Sequence, residues 1–147
     1  MQLTMKSDYG LRAMIDLAAH YGKGPIPSAA IAQRQLIKEH FLYQILITLR
    51  RAGLVKSQRG PQGGHALARP PAQITMLDVL SALEGAPATL VCVPHPTSCA
   101  LRPGCGMRDI WVQIDTFARN LLSETTLESL AARHKPAYAD SVEMYYI

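Results

Sequence analysis

The chain has 147 residues, 48% of them hydrophobic and 18% charged, which supplies one globular domain with a real core and excludes a disordered chain. Its longest charge-free run, residues 85–101, holds three prolines and cannot cross a bilayer as a helix; no basic-then-apolar signal opens the chain, so a cytoplasmic protein is expected. The net charge of +4 hides an asymmetry. Residues 1–69 carry ten basic and three acidic groups, net +7, and residues 70–147 carry five basic and eight acidic, net −3, so the front half bears the footprint of a polyanion binder.

Gly10, Ala13, Met14, Leu17, Ala18 and Tyr21 recur at helical spacing and predict a first helix over about residues 7–21, with Ser7 as N-cap. Two glycines and two prolines make residues 22–27 a loop, after which Ser28 caps a short helix to Gln33. A third helix is expected over residues 38–52, with Leu42, Ile45, Leu46 and Leu49 facing inward and Gly53 ending it. Residues 54–58 alternate as a strand, 59–64 form a glycine-rich turn and 65–68 return as a second strand. Thr75 and Asp78 have capping-box spacing ahead of Met76, Val79, Leu80 and Leu83, so a fourth helix ends at Gly85. From there to Gly106 nothing is periodic, and so long an irregular stretch is usually functional or disordered. A longer helix follows over residues 107–122, where Ile110, Ile114, Phe117 and Leu121 make a seam for another helix, with Trp111 and Ala118 alongside. Thr125 and Glu128 read as a second capping box opening a short helix to about Arg133.

Two helices joined by a short turn and followed by a hairpin with a basic, glycine-rich tip make a winged helix-turn-helix. The fold class is therefore mainly α with a small β-hairpin. The expected organisation is a winged DNA-binding domain over residues 1–85, a cysteine-rich loop over 86–106, the long and short helices over 107–133, and a tail over 134–147. A helix of about 15 residues fits the major groove and presents its outward side chains to base edges. Gln44 can bond adenine at two points, Lys38 or His40 can reach guanine or phosphate, and Arg51 can take a phosphate. Arg59, at the start of the turn, is suited to the minor groove, whose negative potential attracts arginine. Gly60, Gly63 and Gly64 permit a tight turn and close backbone approach, and Ser28 and Tyr43 complete the candidate DNA contacts. The plain alternatives are a solvated polar face and an ordinary turn. No lysine followed by Ser or Thr closes the turn, which argues against a nucleotide-binding loop.

Cys92, Cys99 and Cys105 stand in the irregular stretch with six and then five residues between them. In a reducing compartment three thiols point to metal, cluster or redox chemistry rather than a disulfide framework. Thiolates favour zinc, copper(I) or iron-sulfur clusters, and a site closed by protein alone needs a fourth ligand, either His95 within the loop or an acidic residue from elsewhere or from a partner chain. Cluster, zinc and metal-free thiol switch all stay open on this chemistry. The five histidines have no paired nucleophile and the carboxylates form no acid-base couple, so no enzyme is expected. An iron-sulfur delivery or electron-transfer module is the rival from another class.

The opening Leu3-Thr4, the stretch Asp8-Tyr9-Gly10-Leu11-Arg12-Ala13, Leu42, Gln44 to Gly53-Leu54-Val55, the Arg59-Gly60-Pro61-Gln62-Gly63-Gly64 wing and the three late cysteines carry a resemblance. Over about residues 1–133 the chain resembles the IscR/NsrR/RirA-type family of bacterial winged-helix iron-sulfur transcriptional regulators. The resemblance implies a homodimer, joined through the long helix around residues 110–121, that binds a palindromic operator in double-stranded DNA as a repressor. It implies base contact by Gln44, minor-groove entry by Arg59, and ligation of an iron-sulfur cluster by Cys92, Cys99 and Cys105, with 4Fe-4S first, 2Fe-2S as the alternative and zinc third. The stimulus would be nitric oxide, redox state or iron supply. In one branch the fourth ligand is a histidine two positions after the last cysteine, and here that position is Met107. In the nitric-oxide-sensing branch it is an aspartate near the N-terminus of the partner subunit, which Asp8 matches; an acidic residue in a first helical turn also complements the helix dipole. Three departures are Leu36 where relatives often place a turn glycine, Tyr43 in place of an acidic residue, and His65 in place of an aromatic after the wing glycines.

Overall fold

A computed structural model describes residues 3–85, 88, 90 and 92–134. Residues 86, 87, 89 and 91 of the expected cysteine loop, and the expected tail beyond His134, lie outside the described residues. Helix α1 spans Met5–Ala19 and begins earlier than expected, because Thr4 rather than Ser7 caps it, its Oγ1 accepting the Ser7 N–H at 3.4 Å. Ser7 is instead fully buried and donates its hydroxyl to Glu84 at 2.7 Å. The Thr4 hydroxyl donates to the same carboxylate, and these two bonds hold the Glu84 carboxyl below its usual range. Lys6 Nζ reaches the Leu83 carbonyl at 2.7 Å, so the start of α1 is latched to the end of α4, Met76–Glu84.

Helices α2, Ser28–Gln35, and α3, Glu39–Arg51, form the helix-turn-helix. The turn between them puts Leu36 in the left-handed region at φ 53, a conformation that crowds a Cβ. Asp16 of α1, nearly out of solvent, accepts two bonds from Arg34 at 2.9 and 2.7 Å and one from Gln35 at 3.2 Å, fixing α2 on α1. On α3 the expected four, Leu42, Ile45, Leu46 and Leu49, are all buried.

Strands β1, Val55–Gln58, and β2, Gly64–Leu67, pair antiparallel with Val55 opposite Leu67 and Gln58 opposite Gly64. The hairpin is tied to the loop before α2, since Ile26 and His65 exchange both backbone bonds at 2.8 Å. Gly64 is required at that junction: a Cβ there would lie 2.4 Å from the Ile26 backbone.

The expected capping box of α4 is present, with Asp78 N–H to Thr75 Oγ1 at 3.1 Å and Thr75 N–H to Asp78 Oδ2 at 2.9 Å. Helix α5 runs Arg108–Glu124 and α6 runs Leu127–Arg133. The second cap is one residue later than expected: Thr126 accepts from Ser129 N–H at 3.2 Å. A long-range pairing sets that register. Met76 N–H donates to the Thr125 carbonyl at 2.8 Å and Leu127 N–H to the Ile74 carbonyl at 2.9 Å, which holds the chain extended at Thr126. The same pairing returns α6 to α1 and buries Leu127 completely in the core made by α1, α3, α4 and the hairpin. A leucine so buried contributes about 1.5–3 kcal/mol.

Candidate nucleic-acid interface

Three buried leucines and Ile45 fix one face of α3, and the opposite face is left to solvent. Across from it the wing turn, residues 59–63, is closed by Gly63 N–H to the Gly60 carbonyl at 2.9 Å. Gly63 admits no side chain, since a Cβ would stand 2.3 Å from the Gln58 carbonyl oxygen. Between α3 and this wing lies a groove of about 400 Å³. Six of the expected residues come together in it: Ser28, Tyr43, Arg59, Gly60, Gly63 and Gly64. Gln44, His40 and Arg51 do not line the groove; they are exposed on α3, and Lys38 is exposed at its N-cap.

Ile47 and Arg50 also line the groove and were not among the residues expected to contact DNA. The signal was present in the spacing: Tyr43, Ile47 and Arg50 follow at intervals of four and three, one stripe of a helix. At the groove's end Ser28 donates its hydroxyl to Glu39 Oε1 at 3.1 Å. His65 lines the groove floor, its Nδ1 2.9 Å from Ser57 Oγ. Burial first, and the positive charge of Arg50 second, push the His65 imidazole below its usual pKa.

The cysteine loop is built differently. Among the described residues its regular pieces are two single 3-10 turns, Pro96–Ser98 and Arg102–Gly104, and Cys92, Cys99 and Cys105 are half-buried free thiols. Their chemistry suits a soft metal or a cluster. Among the described residues, however, no three His, Cys, Asp or Glu side chains are gathered to hold a metal ion. His95 is exposed at the start of the first turn. Asp8 is exposed in the first turn of α1, one carboxylate oxygen 2.6 Å from Arg12 Nη2, while Arg12 also reaches the Gln35 carbonyl at 3.0 Å and stacks on Tyr9. Directly after the loop, α5 exposes Ile110, Ile114, Phe117 and Leu121, the seam expected from their spacing. Among the described residues no helix is long and apolar enough to cross a membrane.

Residues 3–133, which take in the winged unit, the loop and both final helices, match the Rrf2 family, described as iron-dependent transcriptional regulators. The chain belongs to that family. CymR of Bacillus subtilis (strain 168), a named HTH-type transcriptional regulator, is 37% identical over 152 residues covering 100% of both chains. Among solved structures, CymR of B. subtilis, titled its global cysteine regulator, superposes with a TM-score of 0.77 at 36% identity over 92% of this chain and 99% of that one. T. potens IscR gives 0.72 at 33% identity over 99% and 97%. This Rrf2 protein is a DNA-binding transcriptional regulator with the expected winged helix-turn-helix fold, and it is not an enzyme.

Proposed function

We propose that this Rrf2 protein is a homodimeric repressor that binds a palindromic operator and carries its sensor in the cysteine loop. The observation that carries the reading is the unpartnered stripe on α5, where Ile110 is 57% exposed and Phe117 71% exposed. Four large apolar side chains in one row on a helix are costly in water and match a second copy of the same helix. Pairing through α5 gives two-fold symmetry, and two-fold symmetry requires two half-sites, about 34 Å apart for successive major grooves. In each half-site α3 enters the major groove with Gln44, His40, Tyr43, Lys38 and Arg51 toward bases and phosphates. Arg59 enters the neighbouring minor groove, with Ser28 and the wing glycines close to the backbone. Cys105 lies three residues before α5, so a change in the loop acts at the edge of the dimer contact.

In this reading Cys92, Cys99 and Cys105 ligate an iron-sulfur cluster, with Asp8 of the partner subunit as fourth ligand, and the cluster responds to nitric oxide, redox state or iron supply. The donor chemistry and the iron-dependent family description support it. Purification without oxygen tests it: a brown protein with acid-labile sulfide is expected, and a colourless protein lacking iron rejects it. The second reading is a metal-free thiol sensor. It is favoured by the separation of the ligands among the described residues and by the likeness to a cysteine regulator. It predicts the colourless protein together with an oxidant-dependent change in operator affinity. In either case Arg59→Ala should weaken operator binding at least tenfold at physiological salt, and unchanged affinity would take the wing out of the reading.

A further inference from the structure

We propose that the floor of the groove between α3 and the wing is a seat for a DNA backbone phosphate, built by Arg50 and His65, and that His65 takes up a proton when the phosphate enters. The proposal deepens the DNA-binding reading and rests on it. His65 is held in place from two sides: its backbone exchanges two 2.8 Å bonds with Ile26, and its ring nitrogen Nδ1 pairs with Ser57 Oγ at 2.9 Å. The imidazole therefore has little freedom to leave the floor.

The groups facing it set the charge. From α3 come Arg50 and Tyr43, from the wing Arg59, and from β1 Ser57 and Gln58. From the start of α2 comes Ser28, whose hydroxyl is taken by Glu39 at the groove's edge. On the other side of the hairpin His65 also borders a cavity of about 300 Å³ lined by His20, Tyr21 and Lys56. No carboxylate lines the groove among the described residues, so its permanent charges, Arg50 and Arg59, are both positive. An anion is the complementary occupant.

In the free protein, burial and Arg50 disfavour the imidazolium, so the ring is neutral at neutral pH. A phosphate beside it offsets the field of Arg50 and supplies an acceptor for a second ring N–H, and both effects favour the protonated ring. A group that binds its proton more tightly in the complex than in the free protein takes one up on binding. Affinity then falls as pH rises between the two pKa values, by at most about tenfold per pH unit for one site.

The test uses the full chain and a duplex selected by the protein from a random-sequence library, with affinity measured from about pH 6 to pH 8 at fixed ionic strength. Affinity is expected to fall several-fold across that range for the parent protein. It should stay flat for His65→Gln, which keeps a hydrogen-bonding side chain beside Ser57. The midpoint of the His65 ring proton signal in NMR should rise when the duplex is added, a readout that needs no variant. A His65→Gln protein with the parent's slope, or a midpoint unmoved by DNA, overturns the proposal while leaving DNA binding in place. A midpoint moved as far by inorganic phosphate alone overturns the DNA source of the anion. Absence of duplex binding at every pH would instead reject the reading beneath it.

Discussion

The winged unit and the cysteine loop follow one another along the chain and are held by different means. The winged unit draws its core from α1, α2, α3, α4 and the hairpin and is closed by α6, whose Leu127 is wholly buried. Between α4 and α5 no described residue is buried, and two single turns stand in for secondary structure. Free energy of folding is therefore concentrated in the part that reads DNA, and the part that carries the thiols is left under-determined. A segment that does not contribute to the core can be reordered by a metal, a cluster or oxidation at little cost to the rest. The winged unit is closed just before the loop by the latch of Thr4 and Ser7 on Glu84, where the last turn of α4 grips the first turn of α1.

The largest expected effect lies in the reader. Leu49 is fully buried at the junction of α3 with the core, and Leu49→Ala removes its transfer free energy and leaves a cavity. A loss of about 3 kcal/mol is expected, read as a lower urea midpoint at unchanged slope. A loss below about 1 kcal/mol would mean that the reader is as loosely held as the loop, and the contrast would fail. A smaller effect of opposite sign is expected at Leu36, whose side chain is 72% exposed and whose φ of 53 disfavours a Cβ. Leu36→Gly relieves a strain of about 1–2 kcal/mol and gives part of it back as unfolded-chain entropy, for a net gain of about 0.5–1 kcal/mol. Thermal unfolding of the two proteins checks it, and a lower midpoint for the glycine variant would show that the leucine is held by contacts that outweigh its backbone.

What the sequence made legible and what it hid differ in range. The inward face of α3 and the box of Thr75 with Asp78 depend on neighbours within one or two turns, and both were readable from spacing. The caps of α1 and α6 were misplaced because several hydroxyls compete locally and distant partners decide. Ser7 is withdrawn from capping by Glu84, seventy-seven positions away, and Thr126 is selected over Thr125 by the pairing with residues 74–76. Ser28 was likewise expected to cap α2, but it opens the helix after Pro27 and spends its hydroxyl on Glu39. Of the expected contact residues, the six that line the groove, Ser28, Tyr43, Arg59, Gly60, Gly63 and Gly64, follow from turn chemistry and helical face. The stripe of Tyr43, Ile47 and Arg50 is legible in the spacing, but that this stripe lines the groove is not, because the groove exists only once the wing folds back over α3 and no local pattern states which edge of a helix a distant hairpin will meet.

The smallest expected change in stability is the one that tests the contrast most directly. Cys99 is a half-buried thiol in a stretch without core contacts, so Cys99→Ser in metal-free protein should alter unfolding free energy by no more than about 0.5 kcal/mol. The same variant should lose the difference in operator affinity between protein prepared without oxygen and protein exposed to oxidant, because a serine hydroxyl neither binds soft metal nor oxidises as a thiol does. If a group is bound, the parent alone gains stability on loading, since a ligand that binds only the folded state stabilises it by mass action. A metal-free Cys99→Ser protein weakened by 2 kcal/mol or more, on the order of a deleted core methyl group or two, would place the loop within the folded framework. The division between a rigid reader and an adaptable loop could then no longer be drawn at the end of α4.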